Sequence, residues 1–461
     1  MPDQRDVSNM NGIDRRSFIQ TSAVAGAGLM TWRPTLGSGR AMQKLSVASV
    51  GVGGMGSNDL KEVASHPDTV IVALCDVDEN RLAQAATKHP NAVTFTDYRE
   101  MFAAMGDKID AVTVSTPDHM HAPVTMTALN QDKHVYCQKP LTHSIHEARA
   151  IRAAVAGKPG LATQMGTQNA SRPMKRRAMK ALENGICGRI IEIRALTDRP
   201  GVEGNPWWPQ GEPRPTGSDP VPSNLKWDEW IGVAEMRPYK NNTYHPFKWR
   251  GFHDFGVGAL GDMGCHIVDA PFQVYGLGDP TMVKCEPVKT SGDMFPRREV
   301  VKMMLPGVKA SEGEPIPFTW YDGGLKPQAS EFKSLGLPDD YKVDYNVVMV
   351  VGEKGTLVVP IPGDGTKFYR KGMLRNIELP QHEGKNHWHH WVEAARGGDP
   401  NWTPFDYATR VTETLAIGAV ASRFPGEELQ WDAKGMKFTN KPEANEYVTR
   451  TYREGWEVEG L

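Results

Sequence analysis

Three closely spaced glycines, Gly51, Gly53 and Gly56, follow the apolar run KLSVASV in the stretch SVGVGGMGSN, residues 49–58. A strand that ends in this spacing and leads into a helix is typical of a dinucleotide-binding turn. Asp76 lies 20 residues beyond Gly56, at the end of the next apolar run, TVIVALCD. Since an acidic residue there can accept hydrogen bonds from a ribose, the combination predicts a nucleotide site rather than a βα turn of purely structural role.

Each glycine of this turn has its own physical reason. Gly51 permits the tight turn, Gly53 lets the backbone approach a pyrophosphate, and Gly56 lets helix and strand pack closely. The diphosphate would lie at the positive end of the helix. A carboxylate at Asp76 would repel a 2′-phosphate, so the sequence favours NAD over NADP as cofactor. The predicted cofactor contacts here are Gly51, Gly53, Gly54, Met55, Gly56 and Asp76.

Strand and helix patterns alternate from the glycine turn to about residue 160. Such alternation predicts a parallel, doubly wound sheet. Strand signals dominate again from about residue 281, and VVMVVGEKGTLVVP, residues 347–360, predicts a β-hairpin. The sequence therefore predicts an α/β protein with an N-terminal Rossmann sheet and a C-terminal α+β domain built on a large, mostly antiparallel sheet.

The first forty residues have the pattern of a targeting segment. Arg15 and Arg16 precede a weakly apolar stretch rich in alanine and glycine, an order that resembles a twin-arginine export leader. This predicts passage through the twin-arginine machinery to the periplasm or beyond; a chance arginine pair in a tail is the alternative. The predicted parts are the leader (1–42), the Rossmann domain (43–165), a substrate-binding domain (166–425) and a C-terminal tail that packs on the body (426–461).

Composition excludes several classes of function. The 461 residues carry a net charge of −2, so nucleic acid is not expected as a partner. No apolar run is long enough for insertion into a membrane. The five cysteines form no C-x-x-C pair, which argues against a disulfide framework or a thiolate zinc site. We predict no metal, because one group matches no ligand spacing: His245, His253, Asp254, Asp262 and His266.

Two further stretches carry residues suited to chemistry. They are STPDHMHAPVTMTALNQDKHVYCQKPLT, residues 115–142, and GALGDMGCHIVD, residues 258–269. Together with the glycine turn they resemble the Gfo/Idh/MocA family, which is named for glucose–fructose oxidoreductase and inositol dehydrogenase. The resemblance extends from about residue 44 to the C-terminus. It implies a nicotinamide cofactor, a carbohydrate substrate and a homo-oligomer.

The family's Glu-Lys-Pro signature corresponds here to Gln138-Lys139-Pro140. The resemblance implies that Lys139 lies beside the nicotinamide and contacts the reacting hydroxyl, and that the Lys139–Pro140 bond is cis. A neutral amide at residue 138 replaces a carboxylate, and its effect on the chemistry stays open.

Asp262 and His266 are four residues apart, which predicts that they share one face of a helix. In family members the matching positions supply an acid/base pair. We expect His266 to act as general base, since histidine titrates near neutral pH, and Asp262 to orient its ring. Lys139 would stabilise the developing alkoxide. A structural cluster of helix-cap residues is the alternative.

The resemblance also implies contacts around the nicotinamide and the substrate. The implied cofactor contacts are Thr116, Pro117, His121, Gln138 and Lys139, and the implied substrate contacts are Gln168, Asn169, Arg250 and His266. His119 matches no family position and is expected at the surface. The stretch NHWHH, residues 386–390, is expected to cap a helix or face the cleft. We expect a minority of the aromatic side chains between residues 207 and 249 to contact substrate.

These features predict an exported NAD-dependent oxidoreductase that moves a hydride between a sugar or cyclitol carbinol carbon and nicotinamide. Since no cofactor pool outside the cytoplasm would recycle a released NAD, we expect the cofactor to stay bound. Two alternatives stay open. One is a redox-neutral NAD-dependent glycosidase, and the other is a non-catalytic sugar-binding protein on the same fold.

Overall fold

The computed structural model describes residues 44–201, 204 and 206–461, so the predicted leader, residues 1–42, lies outside the described residues. Six parallel strands form the N-terminal sheet in the order β3-β2-β1-β4-β5-β6. This confirms the predicted doubly wound sheet. The strands are β1 Leu45–Val50, β2 Thr69–Cys75, β3 Val93–Phe95, β4 Ala111–Val114, β5 His134–Cys137 and β6 Thr163–Met165.

Helices connect these strands and cover both faces of the sheet, which is why β1 and β4 consist almost entirely of buried residues. The parallel strands end at a common edge, where the glycine turn and the loops after β2, β4 and β5 meet. The helices are α1 Met55–Ala64, α2 Glu79–Lys88, α3 Tyr98–Met105, α4 His121–Asn130 and α5 Ile145–Ala156.

The second sheet has ten strands in the order β14-β13-β12-β11-β7-β10-β9-β8-β15-β16. Its neighbours pair antiparallel except β7 and β10, and the predicted hairpin at residues 347–360 is confirmed as β11 and β12. The strands are β7 Ile190–Leu196, β8 Met282–Val288, β9 Arg298–Leu305, β10 Ile316–Tyr321, β11 Val347–Gly352, β12 Gly355–Pro360, β13 Lys367–Arg370, β14 Met373–Arg375, β15 Glu428–Asp432 and β16 Lys437–Phe438. Because β15 and β16 follow residue 425, the C-terminal segment extends this sheet as well as packing on the body.

One long helix joins the two sheets. The helices of this half are α6 Pro173–Glu183, α7 Trp227–Ile231, α8 Gly258–Ile267, α9 Asp269–Tyr275, α10 His387–Ala395 and α11 Phe405–Ala421. The buried helix α11 packs against α5, α8 and β6. At its start, Phe405 N donates to Thr163 Oγ1 (3.1 Å) and Asn401 Nδ2 donates to Thr163 O (2.9 Å). This packing places α8 beside the carboxyl ends of β4 and β5.

All five cysteines are buried free thiols, as the lack of paired spacing predicts. Within the described ranges, no helix is both long and apolar enough to cross a membrane.

Candidate active site

A cavity of about 430 Å³ opens at the carboxyl ends of the parallel strands. All predicted site residues line it except Gly56, Asp262 and Asn169. Gly56 lies under the glycine turn, Asp262 lies behind Lys139, and Asn169 is half-buried on a short 3-10 turn beside Gln168. The structure therefore brings together residues that are spread over more than 200 positions of the chain.

The glycine turn has the backbone that its spacing predicts. Gly51 has φ +80°, and a Cβ atom there would strike the Ser115 carbonyl oxygen. A Cβ at Gly56 would overlap the Gly51 carbonyl oxygen, so the helix approaches the strand as closely as two backbones allow. Helix α1 begins just after Gly54 with no side-chain cap, and Gly53, Gly54 and Met55 at its positive end line the cavity. These residues fit a dinucleotide.

Asp76 is fixed at the end of β2 by two backbone groups. Val52 N donates to Oδ2 (2.8 Å) and Asp78 N donates to Oδ1 (2.9 Å), and the carboxylate lines the cavity. Burial raises the pKa of Asp76, while both hydrogen bonds oppose the change. The carboxylate thus ties the glycine turn to the β2 loop and faces the place where a ribose would lie.

Lys139 and Asp262 form a half-buried ion pair at the opposite end of the cavity. Lys139 Nζ donates to Asp262 Oδ1 (2.9 Å) and to its backbone oxygen (2.8 Å), and Arg250 Nε donates to the same Oδ1 (3.1 Å). Burial opposes ionisation of Asp262, but the charges of Lys139 and Arg250 hold its pKa well below the usual range. The Lys139–Pro140 bond is cis, which confirms the expectation.

His266 lies on the same helix as Asp262, as predicted, and its ring lines the cavity. The expectation that His266 titrates near neutral pH is corrected: burial lowers its pKa to about 3, and the charge of Lys139 acts in the same direction, so the ring is neutral. Among the described residues, Nδ1 has no hydrogen-bond partner although it is buried. The expectation that Asp262 orients this ring is corrected: Asp262 bonds Lys139 and Arg250 instead, because cations are stronger partners for a buried carboxylate than a neutral imidazole.

The turn after β4 carries Thr116, Pro117 and His121. His121 is buried, with Nδ1 2.6 Å from Pro140 O and Nε2 2.9 Å from Thr116 O. Burial lowers its pKa to about 4, so the neutral ring carries one N–H and donates to one of these carbonyls at a time. His121 therefore joins the turns after β4 and β5.

His119 was expected at the surface, and that prediction is wrong. Its side chain is fully buried, its Nε2 lies 3.1 Å from Trp230 O, and its ring packs against Phe255. The physical reason is that the segment containing Trp230 and Phe255 folds over this turn.

The sequence reasoning missed Asp118, which lies between Pro117 and His119 and lines the cavity. Val257 N donates to Asp118 Oδ2 (3.2 Å) at the start of α8. Burial raises the pKa of Asp118 to about 7, against the opposing charges of Arg250 and Lys139. Asp118 stands in the turn after β4, whose other residues were predicted to contact the cofactor, and this position could have identified it. The other cavity-lining residues that were not singled out as contacts include Arg81, Tyr98, Trp230, His245, Phe247, Trp249 and Trp456.

The aromatic segment divides between core and cavity. Trp230 and Trp249 line the cavity, and the Arg250 guanidinium lies 4.2 Å from the ring centre of Trp249. Trp227 packs in a buried aromatic cluster, and Trp207 is exposed. That a minority contacts substrate stays a prediction, with Trp230 and Trp249 now its candidates.

The stretch NHWHH caps a helix, as expected. Asn386 Oδ1 accepts hydrogen bonds from Trp388 N (3.1 Å) and His389 N (3.0 Å) at the start of α10. His387 Nδ1 lies 2.9 Å from Ser171 Oγ. None of its three histidines lines the cavity. In the part of the chain that the structure describes, no three His, Cys, Asp or Glu side chains are grouped to hold a metal ion.

Two family models match the chain in succession. Residues 45–165 match the oxidoreductase family, NAD-binding Rossmann fold, and residues 173–293 match the C-terminal alpha/beta domain of the same family. Inositol 2-dehydrogenase of Corynebacterium glutamicum (strain R) is 30% identical over 166 residues, 35% of this chain and 48% of that protein. Levoglucosan dehydrogenase of Pseudarthrobacter phenanthrenivorans is 25% identical over 236 residues, 50% of each chain. The chain thus spans about half the length of the curated relatives it matches.

Solved structures extend the likeness of fold across most of the chain. Levoglucosan dehydrogenase in complex with NADH and levoglucosan superposes with a TM-score of 0.57 at 18% identity, covering 84% of this chain and 99% of that one. Aldose-aldose oxidoreductase from Caulobacter crescentus gives a TM-score of 0.55 at 17% identity, covering 84% and 100%. With both domain models matched in order and this fold, the chain belongs to the Gfo/Idh/MocA oxidoreductase family.

Proposed function

We propose that this protein is an NAD-dependent oxidoreductase that moves a hydride between a carbinol carbon of a sugar or cyclitol and nicotinamide. The observation that carries the proposal is one cavity that holds the glycine turn and Asp76 at one end and Lys139 and His266 at the other. The two ends suit the two parts of a nicotinamide dinucleotide. Relatives named for inositol and levoglucosan support a polyol substrate.

The acid/base step follows from the protonation states of the site. When bound, nicotinamide supplies the carbon that accepts or returns the hydride. His266 is neutral and lines the cavity, so it can accept the hydroxyl proton of an alcohol as the hydride leaves. Lys139, aimed by Asp262, donates a hydrogen bond to the same oxygen and stabilises its developing negative charge.

The cavity walls fit a carbohydrate. Sugar rings present C–H faces that stack on aromatic rings, and Trp249 offers such a ring beside Arg250. Gln168 and Arg250 supply polar groups for the hydroxyls. We therefore place the substrate between Trp249, Gln168 and His266.

The test begins with the purified protein. Bound nucleotide is extracted and identified, and the absorbance of the reduced cofactor is followed while inositol, levoglucosan and a panel of sugars are added. Reduction of bound or added NAD by a polyol supports the proposal. Absence of NADH binding, measured by energy transfer from tryptophan, overturns it.

A redox-neutral glycosidase is the second candidate. A glycosyl hydrolase family 109 protein of Saccharopolyspora erythraea is 30% identical over 167 residues, 31% of this chain and 36% of that protein. Such an enzyme would release the phenol from nitrophenyl glycosides in an NAD-dependent manner with no net reduction of cofactor. A dehydrogenase would accumulate reduced cofactor instead.

Asp76 is expected to set the preference for NAD. We predict that Asp76→Ser strengthens NADPH binding relative to NADH by at least about tenfold, because the carboxylate that repels a 2′-phosphate is removed. Fluorescence titration with both dinucleotides measures this ratio, and Asp107→Ser at the exposed Asp107 is the control. An unchanged ratio would show that Asp76 does not face the adenosine ribose.

The structure also supports retention of the cofactor. Residues 224–247, here termed the strap, dock on the loop after β2: Lys226 N donates to Val77 O (2.9 Å) and Asn224 Nδ2 to Asp78 Oδ1 (2.8 Å). His245 Nε2 lies 3.1 Å from Asp78 Oδ2 and its side chain lines the cavity next to Asp76. The strap therefore borders the nucleotide end of the site, where it would slow release.

We predict that His245→Ala releases bound NADH at least about tenfold faster, since the contact that closes the strap on Asp78 is lost. Stopped-flow displacement of NADH by excess NAD measures the rate, with His382→Ala as a control outside the cavity lining. Equal release rates in both variants would show that the strap does not retain the cofactor.

Export and assembly complete the proposal. The Arg15-Arg16 pair supports transport through the twin-arginine machinery to the periplasm, and assembly into a homo-oligomer is proposed with it. Replacing both arginines with lysine and following the protein in cell fractions tests export, and light scattering tests assembly.

A further inference from the structure

Gln138, the residue that departs from the family's Glu-Lys-Pro signature, is bonded to a buried carboxylate. Its Nε2 donates to both oxygens of Asp59, at 3.1 Å and 2.8 Å. Asp59 lies on α1, three residues beyond Gly56, and is fully buried. The amide and the carboxylate thus meet across 79 residues of sequence, directly beside Lys139.

Asp59 also receives hydrogen bonds from other elements around the cavity. Ser115 Oγ (2.8 Å) and Trp388 Nε1 (2.8 Å) donate to it, and Tyr136 OH lies 3.5 Å away. Gln168 Nε2 in turn donates to the Tyr136 hydroxyl (3.4 Å). Ser115, Gln138 and Gln168 all line the cavity. The Asp59 carboxylate therefore contacts two cavity-lining residues directly and Gln168 through Tyr136.

We propose that Asp59 is a positioning residue that supplies, from the helix after the glycine turn, the buried negative charge that the family signature carries at residue 138. Gln138 is then the matching donor. The pair fixes the part of the cavity wall that Ser115 and Gln138 form, which is why NADH binding reports on it, and with that wall the backbone that presents Lys139. The assignment of function to this backbone rests on the proposed function, whereas the pairing itself does not.

The charge pattern explains why residue 138 is an amide here. A glutamate would place a second carboxylate against Asp59, and two buried carboxylates can stay together only while they share a proton. The other titratable groups facing Asp59 are Tyr136 and the neighbouring Cys137, both neutral because burial raises their pKa values. Burial raises the pKa of Asp59 as well, against its four donors.

The test is a charge exchange in four proteins: wild type, Gln138→Glu, Asp59→Asn and the double variant. We expect Gln138→Glu to bind NADH at least about tenfold more weakly near pH 8.5 but within about threefold of wild type near pH 6, where the two carboxylates share a proton. The double variant restores one carboxylate and one amide, so it should recover to within about threefold of wild type and lose this pH dependence. Gln131→Glu at the exposed Gln131 is the control for added charge.

Urea unfolding of the same proteins is measured at both pH values. Coupling between the two substitutions, in NADH binding and in the unfolding midpoint, supports the proposal. A double variant no better than the product of the single changes overturns it, as does an equal loss in Gln131→Glu. If wild type binds no NADH, the proposed function fails, and the unfolding midpoints still decide whether Asp59 and Gln138 are coupled. Coupling in unfolding alone, with NADH binding unaffected, would make the pair structural and overturn the positioning role.

Discussion

Replacement of His266 with alanine should lower kcat by about 10³-fold, while the Kd for NADH stays within about threefold of wild type. The reason is its place in the site. The ring lines the cavity, and its buried Nδ1 has no hydrogen-bond partner among the described residues. Burial lowers the pKa of His266 to about 3, so the ring is neutral but a weak base, and it accepts the hydroxyl proton as the hydride leaves and Lys139 stabilises the oxygen. Without it, the alcohol must lose that proton to water as the hydride leaves.

Steady-state kinetics with the polyol found to reduce the cofactor measures this loss, and added imidazole should restore part of the rate through the space left by the ring. His389→Ala is the control, because His389 bonds Ser65 outside the cavity. A variant that keeps more than about a tenth of wild-type kcat would assign the proton to another group. Asp118 would be the first to examine, since it lines the same cavity with a pKa raised to about 7 by burial.

Lys139→Met should cost about 10³-fold in kcat/KM, again with NADH still bound. Lys139 Nζ donates to Asp262 Oδ1 at 2.9 Å, which orients the ammonium group. Loss of this group removes the donor that stabilises the alkoxide. It also leaves Asp262 with Arg250 as its remaining cationic partner, so the pKa of that carboxyl should rise.

The two effects of this substitution can be separated by parallel variants. Asp262→Asn keeps the ammonium but removes its anchor, and should lose about tenfold to 10²-fold. Lys180→Met, at an exposed lysine on α6, is the control. A non-catalytic sugar-binding protein would show no turnover in wild type and unchanged sugar affinity in Lys139→Met, which is the outcome that rejects the enzymatic proposal.

Sequence patterns correctly predicted the structural features that depend only on residues close together in the chain. The glycine spacing, the βα alternation and the hairpin at residues 347–360 were all confirmed, because turn geometry and strand periodicity depend on neighbours in sequence. The likeness to a known family placed Lys139 and His266 in one cavity, although 127 residues separate them.

Side-chain contacts between residues that are distant in the sequence could not be predicted in this way. Asp262 was assigned to His266 because they are four residues apart, yet its bonds go to Lys139, 123 residues away, and to Arg250. His119 was expected at the surface because it matches no family position, whereas Trp230 and Phe255 cover it. These outcomes depend on how residues 224–257 pack against the loops after β2 and β4.

The hydrogen bonds that hold the start of α11 on β6 have a consequence for how substrate enters. Thr163 at the edge of the parallel sheet is bonded to Asn401 and Phe405, and α11 is wedged between α5 and α8. A hinge motion that separates the two domains would break these buried contacts together. We therefore expect substrate to enter and product to leave through movement of residues at the cavity opening, such as those of the strap, while the reacting side chains keep their relative positions between turnovers.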